Sequence, residues 1–373
     1  MRAKNILHLG VKELWSLARD PMMLVLIVYA FTLSIYSIAS GLPDTLHKAP
    51  IAIVDEDQSP LSQRIVNAFQ PPLFLPPKLV SREEMDARMD AGLDTFALNI
   101  PPKFQEDVLA GRSPAIQLNT DATRVGQAFS GSSYVQTIVQ GEVQTWLQRY
   151  RTSFTPPVDL EERLRYNPNL SRSWFGAVVA LMDQITMLSV LLTGAALIRE
   201  RERGTVEHLL VMPVTPFEIM TSKIWSMGLV VLVASAVSLT VVVQGVLSVP
   251  VQGSVALFLC GAALHLFATT SLGMFLATFA RTMPQFALLM ILVLLPLLML
   301  SGGMTPRESM PEWVQQIMLA APTTHFVMLA QGILYRGAGL DAVWPQFLAL
   351  ALIGLTLFNI ALVRFRRTIG TMA

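Results

Sequence analysis

The chain has 373 residues, 53% of them apolar and 14% charged, with a formal net charge of +1. Soluble domains carry about 25% charged residues, so much of this chain is suited to hydrocarbon rather than water. The balanced charge gives no reason to expect nucleic acid as a partner, and the single cysteine, Cys260, excludes an intramolecular disulfide.

Residues 1–20 read as an interfacial helix. Ile6, Leu7, Leu14 and Leu17 supply an apolar flank, Lys4, Lys12 and Arg19 supply positive charge, and such a helix lies along a membrane surface. Pro21 ends it. The first span is expected within 21–40, with its apolar run from Met22 to Ala39, about the length that crosses hydrocarbon. Ser37-Ile38-Ala39 loosely suits a signal-peptide cleavage site. The apolar run exceeds the usual 7–15 residues of such peptides, which favours an uncleaved anchor.

From 41 to 172 the composition changes to that of a soluble domain. Short apolar runs at Ile51 to Val54, Thr95 to Ile100 and Ala115 to Asn119 read as strands. They alternate with helices from Pro60 to Phe69, from the capping box Ser81-Arg82-Glu83-Glu84 to Ala91, and from Pro102 to Ala110, which implies a mixed α/β domain. A long helix, Val125 to Tyr150, follows. Asp55-Glu56-Asp57 invites a metal reading, but no His or Cys accompanies it; acidic residues after a strand are more often turn residues, and no metal site is expected.

Five further spans are expected: Phe175 to Ile198, Ile224 to Leu247, Val255 to Ala280, Phe286 to Leu300 and Val343 to Val363. The fold class is therefore an integral membrane protein, mainly α, with six transmembrane helices and an α/β domain inserted between the first and second. Basic residues orient it. Arg2, Lys4, Lys12 and Arg19, then Arg199, Arg201, Arg203 and Lys223, then Arg281, and finally Arg364, Arg366 and Arg367 share one side if both termini are cytoplasmic. Residues 301–342 are too apolar for a plain loop. Thr305-Pro306-Arg307-Glu308 reads as a capping box, and Pro322 separates two short amphipathic helices, Pro311 to Ala320 and Thr323 to Tyr335. A re-entrant or interfacial pair fits.

The most informative stretch runs from Arg199 to Trp225. Gly204 breaks the preceding apolar run, Thr205 can cap a short helix from Val206 to Met212, and Pro213 stops it. Thr215-Pro216-Phe217-Glu218 is a capping box with proline at the first helical position. Arg199-Glu200-Arg201-Glu202, Gly204-Thr205, Glu207, Leu210, Pro213 and Lys223 resemble the loop of ABC-2 type transporter permeases, in the drug- or multidrug-efflux branch with a large periplasmic domain.

That resemblance extends over nearly the whole chain and carries several implications. The loop, 199–223, would hold a coupling helix docking on an ATP-hydrolysing subunit through Glu200, Glu202, Gly204, Thr205, Glu207, His208 and Pro213. The chain itself would bind no cofactor, and ATP and Mg would be bound by the partner ATPase. Other implied partners are a second permease copy or close homologue, a periplasmic membrane-fusion adaptor and membrane lipids. The location would be a bacterial inner membrane, with 41–172 periplasmic, and the activity export of a small hydrophobic, drug-like or lipid-like substrate. Leu300-Ser301-Gly302-Gly303 spells the start of an ABC ATPase signature, but no G-x-x-x-x-G-K-[ST] sequence exists in the chain, so the match reads as coincidence. Two other readings stay open: an ion-driven secondary transporter, which needs intramembrane carboxylates and inverted repeats, and a membrane-anchored periplasmic ligand sensor.

Asp183 and His265 are ionisable residues inside expected spans, where such groups by default suggest function or a partner. Both fall about ten positions from the outer end of their spans, so at 1.5 Å per residue they sit at matching depth, roughly 15 Å in. Equal depth makes a hydrogen-bonded pair geometrically possible, within one subunit or across a dimer, either lining a pathway and binding a polar group of the cargo or serving as a structural bond between packed helices; the alternative is no contact.

Overall fold

The computed structural model describes residues 2–41, 48–121, 123, 125–150, 172–202 and 214–370. It divides into two compact units, one formed by 1–42 with 172–373 and the other by 43–171.

In the second unit, β1 (Ile51–Asp55) lies at the centre of a sheet with β2 (Lys78–Leu79), β3 (Phe96–Ile100) and β4 (Gln117–Thr120), in the order β2-β1-β3-β4. β1 is parallel to both neighbours, while β3 and β4 are antiparallel. Side chains alternate across a strand, and both faces of β1 are covered. Ile51 and Ile53 join a core with Phe69, Phe74 and Phe96, while Ala52 and Val54 pack with Met85 and Ala97 on the other face. This explains the unbroken apolar run. Phe74 meets Phe69 and Phe96 edge to face, at centroid distances of 5.1 and 6.0 Å. The helices are α3 (Pro60–Ala68), α4 (Arg82–Asp90), α5 (Phe104–Leu109) and α6 (Val125–Tyr150). The two-residue strand β2 was not expected, since it is too short to leave a periodic signal.

The acidic turn is structural. Asp55 Oδ1 accepts the backbone N–H groups of Asp57 and Gln58, at 3.2 and 2.9 Å, and its Oδ2 accepts the Ser62 hydroxyl at 2.8 Å. Asp57 accepts the N–H of Gln105. Among the described residues no group of His, Cys, Asp and Glu is arranged to hold a metal.

The first unit is helical: α1 (Arg2–Ala18), α2 (Pro21–Gly41), α7 (Arg172–Glu202), α8 (Pro216–Val246), α9 (Val255–Ala277), α10 (Met283–Met299), α11 (Glu312–Met318), α12 (Pro322–Arg336) and α13 (Leu340–Gly370). Of these, α2, α7, α8, α9 and α13 are long and apolar enough to cross a membrane, and α10 is shorter. Several spans begin earlier than hydropathy suggests, while α9 begins at Val255 as expected. Helix α8 starts at its Thr215 cap, not at Ile224, so Lys223 is a helical residue and 1% exposed rather than a loop charge. Helices α11 and α12 are two short helices on either side of residues 319–321 and meet at 91°. The capping box expected at Thr305 does not form; Arg307–Ser309 is a single 3-10 turn after Pro306, without a side-chain cap. Pro306 would suit the first helical position, but Pro311 so soon after it leaves no room for the helix to continue.

Helix α7 is the axis of this unit. Small and polar residues bring α9 against it: Ser189 donates to Thr269 at 2.6 Å, Thr186 bonds His265 at 2.9 Å, and Gly273 lies under the Val190 carbonyl. Such seams are how membrane helices approach closely. A Cβ at Gly273 would stand 2.6 Å from the Val190 oxygen, whereas one at Gly228 would meet nothing nearer than 4.0 Å. Gly273→Val should therefore destabilise by about 1–3 kcal/mol and Gly228→Ala should be neutral. Thermal unfolding of the detergent-solubilised chain tests this, and equal melting temperatures for Gly273→Val and the parent would contradict the close packing.

Candidate coupling site at the charged end of helix α7

Consecutive helical residues point about 100° apart, so four in a row reach all sides of a helix. Arg199, Glu200, Arg201 and Glu202 end α7 in this way, and each engages a different part of the unit. Arg199 donates to Asp20 Oδ2 at 2.7 Å. Asp20 is also the N-cap of α2, where its Oδ1 accepts the Met23 N–H, so Arg199 grips the α1–α2 junction. Arg201 donates to the carbonyls of Ala277 and Ala280, at 3.1 and 2.6 Å, serving acceptors that the end of α9 leaves over. Glu202 accepts the N–H of Met283 at 2.9 Å. This supplies α10 with the cap that Thr282 does not give it, and sets a carboxylate at the positive end of that helix.

Glu200 makes the densest contact. Lys223 of α8 lies between Glu200 and Glu13 of α1, 2.9 Å from each. Lys12 stands 3.2 Å from Glu200 and 3.7 Å from Glu13. Two carboxylates and two ammonium groups make a neutral knot joining α1, α7 and α8. Burial works against the Lys12 ammonium, but the charges of Glu200 and Glu13 outweigh it and hold its pKa above the ordinary lysine value. The knot explains a departure from the expected amphipathic pattern of α1. Its packed face carries Gly10, Glu13 and Leu17, with Glu13 turned inward to Lys223, while Leu7, Val11 and Trp15 are exposed.

Helix α8 is secured at its start as well. Thr215 and Glu218 form a reciprocal capping box, and Glu218, which is buried, also accepts from Asn5 of α1 at 3.4 Å. Trp225 donates to the Ile6 carbonyl at 3.2 Å, and its ring fills the space above Gly10. The two helix ends flanking 203–213 are thus both fastened to α1. The expected short helix from Val206 to Met212, and with it Gly204, Thr205, Glu207, His208 and Pro213, lies outside the described residues.

The family follows from comparison with known proteins. A family profile described as "ABC-2 family transporter protein" matches residues 22–363. The chain belongs to the ABC-2 transporter family. This ABC-2 permease is 64% identical over 370 residues to the inner membrane transport permease YhhJ of Escherichia coli, with 99% of each chain covered. It is 28% identical over 365 residues to the probable multidrug ABC transporter permease YbhR of the same organism, covering 96% of this chain and 97% of that one. The permease is a multi-pass membrane protein, and members of its family normally work with an ABC ATPase subunit.

Asp183 and His265 do not pair within one chain. The partner of His265 on α7 is Thr186, and the His265 ring stacks on Phe326 of α12 with centroids 4.1 Å apart. His265 is fully buried and ties α7, α9 and α12 together. Asp183, three residues before Thr186, is partly buried and makes no hydrogen bond or ion pair among the described residues. Sequence reasoning missed Glu13 and Lys12 as members of the charged site. A signal was available, because Glu13 is an acid on an otherwise basic amphipathic helix.

Removing Lys223 leaves two facing carboxylates with only Lys12 to offset them. Breaking a buried pair in this way costs about 3–5 kcal/mol, so Lys223→Met should sharply lower the melting temperature of the solubilised permease. The variant Lys223→Met/Glu13→Gln/Glu200→Gln, which leaves a charge only on the half-exposed Lys12, should recover most of the loss. A Lys223→Met protein that melts like the parent would remove the knot from the account.

Proposed function

We propose that this permease is the membrane subunit of an ABC-2 exporter. A separate ATPase docks on 203–213 and hydrolyses ATP, and motion passes from there through the charged end of α7. The observation that supports this reading is the fan of contacts from Arg199 to Glu202. Residues 203–213 lie between Glu202, which caps α10, and the capping box that starts α8. A push on that segment therefore acts at once on α1, α7, α8, α9 and α10.

In this reading α2, α7, α8, α9, α10 and α13 make six crossings, both termini are cytoplasmic, and 41–172 is periplasmic in a bacterial inner membrane. Two permease copies, or this chain with a close homologue, enclose the pathway, and a periplasmic membrane-fusion adaptor continues the route outward. The substrate is small and hydrophobic, drug-like or lipid-like. The name of the YbhR relative, a probable multidrug permease, supports that class. Asp183, which is without a hydrogen-bond or ion-pair partner among the described residues, faces the pathway or the second copy and receives a polar group of the cargo, and fully buried His265 holds the surrounding helices in place.

Orientation is tested by thiol labelling in a Cys260→Ser background. Ser113 in the inserted domain and Ser16 on α1 are both exposed. Ser113→Cys should react in whole spheroplasts with a membrane-impermeant reagent, and Ser16→Cys only after lysis. The reverse pattern would overturn the topology and the docking argument together.

The cargo role of Asp183 is tested by Asp183→Asn, which keeps the shape and removes the charge. Substrate-stimulated ATP hydrolysis by the assembled complex should fall, while assembly and basal hydrolysis stay intact. Full stimulation in that variant would exclude a need for the carboxylate.

A further inference from the structure

A cavity of about 610 Å³ opens where α1, α2 and α7 meet, lined by Lys12, Trp15, Ser16, Arg19, Asp20 and Arg199. We propose that it holds the phosphodiester headgroup of an anionic phospholipid, with Arg19 as the principal phosphate ligand.

The charges around the cavity favour a single negative charge. Arg199 is neutralised by Asp20, and Lys12 belongs to the neutral knot with Glu13, Glu200 and Lys223. Arg19 is different. Among the described residues it makes no ion pair; its guanidinium carbon lies 5.9 Å from the centre of the Trp15 ring. Among the described residues around the cavity, Arg19 is thus the guanidinium left without a counter-charge, which suits the single charge of a phosphodiester. Its planar fork suits two phosphate oxygens at once, and the Ser16 hydroxyl at the cavity wall offers a further donor.

The level of the cavity also suits a lipid. Pro21 is the first residue of the first long apolar helix, so Arg19 and Asp20 stand where hydrocarbon gives way to water. Trp15, 63% exposed, is the residue type that favours that boundary. Acyl chains have a surface to follow: Leu7, Val11 and Trp15 form an exposed apolar stripe along α1, and Met22, Val25 and Val28 continue it down α2. A soluble phosphate would use the guanidinium and leave this stripe unused. The wall of the cavity includes Arg199 and Lys12, so a lipid bound there touches the charged end of α7 directly.

Native mass spectrometry of the full-length permease in detergent tests the proposal. It is titrated with phosphatidylglycerol, phosphatidylethanolamine and phosphatidylcholine of matched acyl chains, with glycerol 3-phosphate as the soluble competitor. Phosphatidylglycerol should bind most tightly. Arg19→Gln should weaken its binding about fivefold, the contribution of one basic residue near a charged surface, and Arg19→Lys should keep most of it. Arg82→Gln, an exposed charge in the inserted domain, should change nothing. The melting temperature of Arg19→Gln should match the parent, since Arg19 is exposed. Equal binding of phosphatidylglycerol and phosphatidylcholine, or undiminished binding by Arg19→Gln, would overturn the site. Displacement by glycerol 3-phosphate at matched concentration would mark a free-anion site and overturn the lipid assignment.

Discussion

Lys223 cannot be buried alone. An ammonium taken out of water costs several kcal/mol unless opposite charge meets it, and here that charge comes from two other helices, Glu13 on α1 and Glu200 on α7. The pairing fixes where α1 lies, which face of α8 turns inward and how far the end of α7 reaches. Once Glu200 is placed, helical geometry sends Arg199, Arg201 and Glu202 to the other sides. There they satisfy an N-cap aspartate, the carbonyls at one helix end and the N–H at the start of another. Each contact is a charged hydrogen bond made from the last turn of α7 or from Lys223, so the helices are held to one another at this one level.

The bodies of the helices are joined differently. Between α7 and α9 the seam consists of hydroxyls, one imidazole and a glycine at carbonyl distance, and bonds of this kind average about 0.6 kcal/mol each in membranes. Helices α2 and α8 each contain a π-helical segment, Ala30–Ser34 and Ser238–Val246, and Ser238 donates to the Phe31 carbonyl between them. Widened turns of this sort recur at functional sites in helices. Strong contacts at the charged end and weak ones along the length are what a device needs if it is to be driven from one end.

Much of this was legible in the sequence. The long apolar runs, the alternating pattern of the inserted domain and the box at Thr215-Pro216-Phe217-Glu218 follow from local chemistry, and the structure contains all three. Tertiary pairing was not legible. Lys223 was counted with the loop charges, because hydropathy alone cannot tell a basic residue facing water from one held between two carboxylates, one of them 210 positions away in the chain. Glu13 gave a hint, since an acid on the inward face of a basic amphipathic helix has to meet a cation. Matching depth suggested that Asp183 and His265 meet, but depth leaves the rotation of each helix undetermined; Thr186, one turn further along α7, is the residue that turns to the histidine. The box at Thr305 failed because a capping pattern promises a helix only where the following residues can continue one, and Pro311 prevents that.

The central claim is that force applied at 203–213 reaches α1 through the charged knot. Hydrogen exchange on the permease assembled with its ATPase, compared with and without trapped ATP, tests it most directly. The account predicts that protection changes together in 203–213, in α1, at the end of α9 and at the start of α10. It also predicts that in Lys223→Met/Glu13→Gln/Glu200→Gln the change at α1 is lost while the change at 203–213 persists. An α1 that ignores ATP in the parent protein, or that responds equally in the variant, would contradict the account.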